Sequence, residues 1–255
     1  MDLKIKFDED VDNYDKMRPT YVKELYDNVI QFSNLNGSKT ALEIGIGTGQ
    51  ATMPFLQTGC RLEAVELGEN MAEFVKHKFS DYQNFNVINA GFEEVKLNPD
   101  SYDLIYSATA FHWIPQEIGY PKALDLLKNG GTLALFWNHP SMGDNELYTK
   151  MQEVYSKYRP GVKATVHKFS EDKCLEIAKT IQKYGFADVE YKVYHAKRIL
   201  DAQQYVSLLN TYSDHRAMQS ESRSLLEGGL TDVINQYGGK IEIQDTIDLY
   251  LGRKP

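Results

Sequence analysis

The stretch Leu42 to Gln50, LEIGIGTGQ, constrains the fold more than any other part of the chain. Thr40, Ala41, Leu42 and Ile44 suit a buried parallel strand, and the alternating glycines Gly45, Gly47 and Gly49 then end that pattern abruptly. Glycine admits positive φ and lets a ligand come close to the backbone, so a strand, loop and helix of this kind read as a nucleotide- or nucleoside-binding loop. The spacing is G-x-G-x-G. The dinucleotide fingerprint is G-x-G-x-x-G, and Gln50 stands where its third glycine would fall. Glu43, two residues before the first glycine, is expected in the turn, where it suits a cationic or amino-bearing ligand better than a pyrophosphate. A glycine loop with a purely structural role is the alternative.

Here the sequence resembles the class I S-adenosylmethionine-dependent methyltransferases, whose first motif is an acidic residue followed by G-x-G-x-G. The resemblance implies an α/β fold: a Rossmann-like, doubly wound seven-stranded sheet with its last strand antiparallel, plus a small helical cap. It places Glu43, Gly45, Gly47 and Gly49 against the methionine and ribose portions of S-adenosylmethionine. Glu66, about twenty residues after the loop begins, stands where a doubly wound fold puts the carboxylate that accepts the ribose hydroxyls. Leu67 and Met71 follow it, and Met71 is expected against the adenine. The turn Gly91-Phe92-Glu93 is expected around the adenine ring. The family's acid usually lies one or two places earlier, so the residue that meets the exocyclic amine stays open. Ser107, Ala108 and Thr109 line the exit of the fourth strand, and the Y-D-x-x-R-P pattern at Tyr14 and Arg18 looks like an N-terminal lid.

The exit Phe111-His112-Trp113 differs from the N/D-P-P-Y/F of enzymes that methylate nucleobase and glutamine amines. It is similar to the small-molecule branch, methyltransferase type 11, which includes trans-aconitate and quinone-biosynthesis enzymes. The resemblance implies methyl transfer to a small-molecule acceptor, with S-adenosylhomocysteine as product. His112 is the first candidate for a general base, followed by His215 and His139, while Trp113, His139, Tyr212 and His215 are candidates for the acceptor pocket. An aromatic plug with a core histidine is the competing reading of the exit.

A chain of 255 residues with 42% hydrophobic content suits one domain, 1–255. Its parts are a lid and first helix (1–32), a cofactor-binding core (40–138), a partly helical cap (143–220), and a final helix and strand (221–255). The net charge of −8 opposes a phosphate backbone, which favours a small molecule over nucleic acid as partner. Cys60 and Cys174 are isolated, so neither a disulfide framework nor a zinc spacing is present, and no metal is expected. Apolar runs are too short for a membrane span, and the chain reads as a cytoplasmic monomer or homodimer. Two rival functions stand beside the first. A nicotinamide-dependent oxidoreductase of the short-chain kind needs Y-x-x-x-K in mid-chain, and the pair found is Tyr250 with Lys254, at the far end. A non-catalytic cofactor-binding protein is the other.

The periodicity predicts a helix with Pro19 in its first turn and Val22, Leu25, Tyr26, Val29 and Ile30 on one face. It predicts strands over 61–67, 86–90, 102–107 and 132–137, and a helix over 118–127 closed by the turn Asn129-Gly130-Gly131. Tyr148, Met151, Val154, Tyr155 and Tyr158 mark a cap helix. A sheet-packing helix over 222–236 and a strand over 240–252 end the fold, with Arg253-Lys254-Pro255 as tail.

Overall fold

The apolar segments form seven strands: β1 Thr40–Ile44, β2 Arg61–Glu66, β3 Phe85–Asn89, β4 Tyr102–Ala108, β5 Leu127–Ser141, β6 Ala187–Asp201 and β7 Lys240–Arg253. The structure, a computed structural model, describes residues 8–159 and 169–255, so part of the expected cap, 160–168, lies outside the described residues. The strands form one sheet in the order β3-β2-β1-β4-β5-β7-β6. β1 pairs in parallel with β2 and β4, and the same direction continues to β3 and β5. β7 runs against β5: Gly130 and Gly131 bond Lys254 at one end of the pair, and Ser141 bonds Gln244 at the other. This is the doubly wound sheet with an antiparallel last strand that the resemblance implied.

The helices are α1 Val11–Met17, α2 Lys23–Ser33, α3 Thr52–Leu56, α4 Glu69–Lys78, α5 Gln116–Leu126, α6 Glu146–Tyr158, α7 Glu171–Lys183, α8 Ala202–Leu209, α9 Ser213–Arg216 and α10 Ser220–Gln236. The chain groups into two compact units. The larger takes 19–138, 170–194 and 247–255. Its core joins Ala41, Leu62, Ala64, Leu104, Tyr106 and Phe136 of the strands to Leu25, Tyr26 and Val29 of α2 and Phe55 and Leu56 of α3. Of the described residues, the smaller takes 8–18, 139–159, 169 and 195–246. There Met151 and Tyr155 of α6, Tyr205 and Leu208 of α8, Leu226, Leu230 and Ile234 of α10, and Ile241 and Ile243 of β7 share a second core. α1 docks on this unit through Asn13, whose amide donates to the Ser207 carbonyl at 2.9 Å. Arg198 adds a two-pronged pair to the buried Asp245, at 2.5 and 2.8 Å.

Several details differ from the sequence reading. Pro19 lies upstream of α2, whose N-cap is Val22. A residue before proline is pushed out of the helical region, and Arg18 is extended at ψ 135, which ends α1. Asn129-Gly130-Gly131 belongs to β5, because Leu127 already pairs with Tyr102. A Cβ at Gly131 would lie 2.7 Å from the Lys128 carbonyl oxygen, so a side chain has no room there. The expected tail is bound: Lys254 donates its amide to Gly131, and its ammonium meets Asp100 and the Leu127 carbonyl, each at 2.7 Å. A cation on the free carbonyls past α5 complements the helix C-terminus. α10 buries its apolar face among α6, α8 and the first residues of β7.

Two adjacent glycines in α10 give a test of this packing. A Cβ at Gly228 would meet nothing within 4 Å, whereas one at Gly229 would lie 2.8 Å from Val154 Cγ1 of α6. Gly228→Ala is expected to stabilise the chain by about 0.5–1 kcal/mol through helix propensity. Gly229→Ala is expected to lower stability by roughly 1 kcal/mol or more, since overlap in a packed interface outweighs that gain. Thermal unfolding of the two variants checks this, and equal midpoints would contradict the close approach of α6 and α10.

Candidate active site

β1 ends at Ile44, and the chain turns through Gly45, Gly47 and Gly49 with φ of 69°, 58° and 83°. The loop is wedged tightly. A Cβ at Gly45 would lie 2.5 Å from Ala110 Cβ beyond β4, and one at Gly49 would lie 2.6 Å from the Phe79 ring at the end of α4. L residues resist this backbone conformation as well, so glycine answers both demands.

Glu66 closes β2 and is only 8% exposed. Its Oε2 accepts the Gly47 amide at 2.8 Å and its Oε1 the Gly68 amide at 2.9 Å, so one carboxylate ties the glycine loop to the turn after β2. Asn89, which the sequence reading passed over, donates to the carbonyls of Glu66 and Leu67 at 2.9 and 3.1 Å and fixes the neighbouring turn. An amide-bearing residue at a strand end carries little signal in sequence. Leu67 is 48% exposed, and its Cδ1 lies 3.8 Å from where a Gly91 Cβ would be, an apolar wall beside an open backbone. Met71 is buried, and so is Phe92, whose ring lies 5.2 Å from the Lys122 ammonium. Phe92 thus offers the turn its backbone. Glu93 Oε2 lies 3.6 Å from the same Gly91 position. Ser107 is fully buried and donates to the Ile44 carbonyl at 2.8 Å, which binds β4 to β1.

Glu43 was expected in the turn, but it stands within β1, beneath the loop, and is 1% exposed. The hydroxyls of Tyr106 and Thr52 donate to its Oε2, each at 2.7 Å. Burial pushes its pKa up to about 8, opposed by those two hydrogen bonds and assisted by the nearby Glu66 charge. The carboxyl is therefore mostly protonated at neutral pH. With a folded pKa above its ordinary 4.5, its contribution to stability is complete below that value and is lost as pH rises through about 8. Glu43→Gln should remove this dependence and leave the variant the more stable at alkaline pH, by up to a few kcal/mol at about 1.4 per pKa unit. Unfolding midpoints of both proteins between pH 6 and 9 check it, and parallel curves would refute the raised pKa.

The exit of β4 carries backbone strain. Thr109 is β-branched yet has φ 54°, which costs on the order of 1–3 kcal/mol. Its surroundings hold it there: its amide donates to the Phe136 carbonyl at 2.8 Å, and its Oγ1 shares a 2.7 Å hydrogen bond with the Tyr21 hydroxyl and accepts the Asn138 amide at 3.3 Å. Tyr21 itself meets Phe136 edge-on at 4.8 Å. A double-mutant cycle of Tyr21→Phe with Thr109→Ala should give a coupling of about 0.5–1.5 kcal/mol in unfolding free energy. Strict additivity would mean that the hydroxyl pair does not support the strained residue.

Two residues further, Phe111–Trp113 forms a short 3-10 turn. Phe111 packs on Tyr120, with ring centres 5.0 Å apart, while His112 stays exposed beside Trp113. His112 Nδ1 accepts the indole proton of Trp137 at 3.1 Å, and partial desolvation lowers its pKa. The expected base is therefore already engaged at one ring nitrogen.

The remaining candidates fall in the smaller unit. The Arg18 guanidinium lies 4.8 Å from the Tyr14 ring and 4.3 Å from the Tyr212 ring, and it donates to the Thr211 carbonyl at 2.8 Å. His215 is buried 5.9 Å from Tyr155 and 6.4 Å from Tyr212, and burial pushes its pKa down to about 4. His139 faces Phe169 at 5.7 Å. Tyr14, Arg18, Tyr212 and His215 thus form one cluster, and the glycine loop, Glu66, Thr109 and His112 another.

Among the described residues no helix is long and apolar enough to cross a membrane, and no three His, Cys, Asp or Glu side chains group as a metal site. Residues 42–135 match the family model described as a methyltransferase domain. A Schizosaccharomyces pombe protein described as an uncharacterized methyltransferase is 23% identical over 89% of this chain and 86% of its own length. A probable S-adenosylmethionine-dependent methyltransferase of Saccharomyces cerevisiae is 27% identical over 57% of this chain and 50% of its own. Among solved structures, phosphoethanolamine N-methyltransferase 2 of Haemonchus contortus, in complex with S-adenosyl-L-methionine, superposes with a TM-score of 0.57 at 15% identity, over 97% of this chain and 57% of that one. The glycine loop, the strand-end acid, the sheet order and these matches agree: the chain carries an S-adenosylmethionine-dependent methyltransferase domain on a class I-type sheet.

Proposed function

We propose that the enzyme methylates a small-molecule acceptor, with the glycine loop, Glu66, Leu67 and the Gly91 turn holding the cofactor and His112 and Trp113 on the acceptor side. The observation that carries this is the Glu66 carboxylate, fixed by two backbone amides at the end of β2. Such a group suits a pair of ribose hydroxyls, and the exposed Leu67 beside the open Gly91 suits a flat adenine ring. The charge pattern points the same way: an acid beside the loop suits a cationic ligand better than a pyrophosphate. When bound, S-adenosylmethionine supplies a methyl group already activated on a sulfonium. The chain's own task is then to orient the acceptor and keep water away, which accounts for an aromatic exit at β4. The same reading takes the enzyme as a cytoplasmic monomer or homodimer that does not act on nucleic acid, supported by the net charge of −8.

Calorimetric titration with S-adenosylmethionine, with methyl transfer from labelled cofactor into a fractionated metabolite extract, tests the reading. Glu66→Ala should weaken cofactor binding by about 1–3 kcal/mol, because hydroxyl donors lose a charged acceptor. Unchanged affinity in a folded variant would remove Glu66 from the site.

A further inference from the structure

The chain holds two Asn-Gly pairs, Asn36-Gly37 in the connector between α2 and β1, and Asn129-Gly130 in β5. Glycine sets no side chain beside its own nitrogen, so in such a pair that nitrogen can reach the carbonyl carbon of the preceding asparagine side chain. The fold treats the two pairs in opposite ways. Asn129 is exposed, but the Gly130 amide donates to the Lys254 carbonyl at 2.9 Å, and this strand pair must open before the nitrogen is released. Asn36 and Gly37 are exposed in a turn closed by the Lys39 amide on the Asn36 main-chain carbonyl at 3.0 Å. The Gly37 amide donates to no group among the described residues. The Asn36 side-chain oxygen, in contrast, is gripped twice by Ser38, whose amide donates at 3.0 Å and whose hydroxyl donates at 2.7 Å. These donors draw electrons from the Asn36 carbonyl carbon and sit on the oxygen where charge develops when a nucleophile adds to it.

We propose that Asn36 is a self-modifying site, at which the Gly37 nitrogen displaces the side-chain amide and leaves aspartate or isoaspartate. The Gly37 amide gives its proton to hydroxide or water, and its nitrogen forms a bond to Asn36 Cγ. The electron pair of the carbonyl moves onto Oδ1, under the two Ser38 donors, and returns as the bond to Nδ2 breaks. Nδ2 takes a proton from water and leaves as ammonia, and the product is a cyclic succinimide. Water then adds to either ring carbonyl. Opening at Cγ gives aspartate, and opening at the main-chain carbonyl gives isoaspartate, whose backbone runs through the side chain. The sum is amide plus water to acid plus ammonia. The new carboxylate lacks the Nδ2 donor that held the Asn34 carbonyl at 2.9 Å, so two acceptors face each other beside the left-handed cap of α2, Asn34 at φ 51°. Isoaspartate also lengthens the main chain within the turn. Lys39 closes that turn, and its carbonyl accepts the Arg61 amide at 2.9 Å where β1 begins to pair with β2. The site lies at the opposite end of β1 from the glycine loop and needs no cofactor.

Peptide mapping by mass spectrometry of the full chain, aged at neutral and mildly alkaline pH, tests it. Asn36 should convert at least about tenfold faster than Asn129, because β5 must open before Gly130 can react. The rate should rise with pH, since the attacking nitrogen must lose a proton. Both aspartyl and isoaspartyl peptides should appear, because a succinimide opens on either side. In urea, where no strand protects Gly130, the two sites should convert at similar rates. Ser38→Ala keeps the main-chain donor and removes the hydroxyl, and should slow Asn36 in the folded chain by about three- to tenfold, the span of one net hydrogen bond. A Cβ at Gly37 would meet the Gly59 carbonyl oxygen at an ordinary 3.6 Å, with φ outside the left-handed region, so Gly37→Ala should fold normally and convert more slowly. The converted fraction, separated by its extra negative charge, should unfold at a lower temperature than the parent. Equal rates at Asn36 and Asn129 in the folded chain, aspartate as the sole product, or an unchanged rate in Ser38→Ala overturns the proposal. A difference between the two sites that persists in urea overturns the protection ascribed to β5, and a converted fraction with the parent's unfolding midpoint overturns the effect ascribed to the turn before β1.

Discussion

The parallel pairing of β1 with β2 on one side and β4 on the other is the constraint on which the rest of the site depends. Parallel strands all deliver their carboxyl ends to the same edge, and a ligand of an open α/β sheet lies beyond that edge. Ile44, Glu66 and Ala108 are the last residues of these strands, so the glycine loop, the strand-end acid and the aromatic exit are brought together by backbone hydrogen bonding alone. The Glu66 carboxylate then adds a side-chain link between two of the three exits.

Two acids close to one loop would repel each other if both were ionised. The structure resolves this by depth. Glu43 lies under the loop, receives two hydroxyl donors and keeps its proton, while Glu66 accepts two backbone amides at the end of its strand. Glu43 thereby serves as a polar peg joining β1 to α3 and β4, and Glu66 joins the glycine loop to the turn after β2. The same economy applies at Thr109, where a strained backbone persists because neighbouring strands and Tyr21 determine its place.

What sequence could disclose follows the range of each interaction. The glycine loop and the position of Glu66 were legible because their spacing along the chain is itself the signal, and the central strands because each carries an apolar run, whereas β6 shows only alternation. Gly130 and Gly131 misled because a glycine pair reads locally as a turn, while its reason here is a strand partner at Lys254 far along the chain. Pro19 misled for a related reason, since its effect falls on the residue before it rather than on the helix after it. The Tyr21 contact with Thr109 and the Trp137 contact with His112 left no pattern to find. Their partners are 88 and 25 residues apart, and only pairing of the strands brings them together. The cluster of Arg18 with Tyr14 and Tyr212 spans nearly two hundred residues and was hidden in the same way.

The order in which segments are used along the chain has a consequence for biosynthesis. The larger unit draws on residues 247–255, which include the second half of β7, and the smaller unit needs α10 and the first half of that strand. Neither core can close while the last stretch is still inside the ribosome. β5 emerges well before β7 and leaves an open edge that must wait for that late partner. Until β7 has emerged, a nascent chain of this design stays exposed to misassembly, and that strand acts as the clasp that ends the exposure.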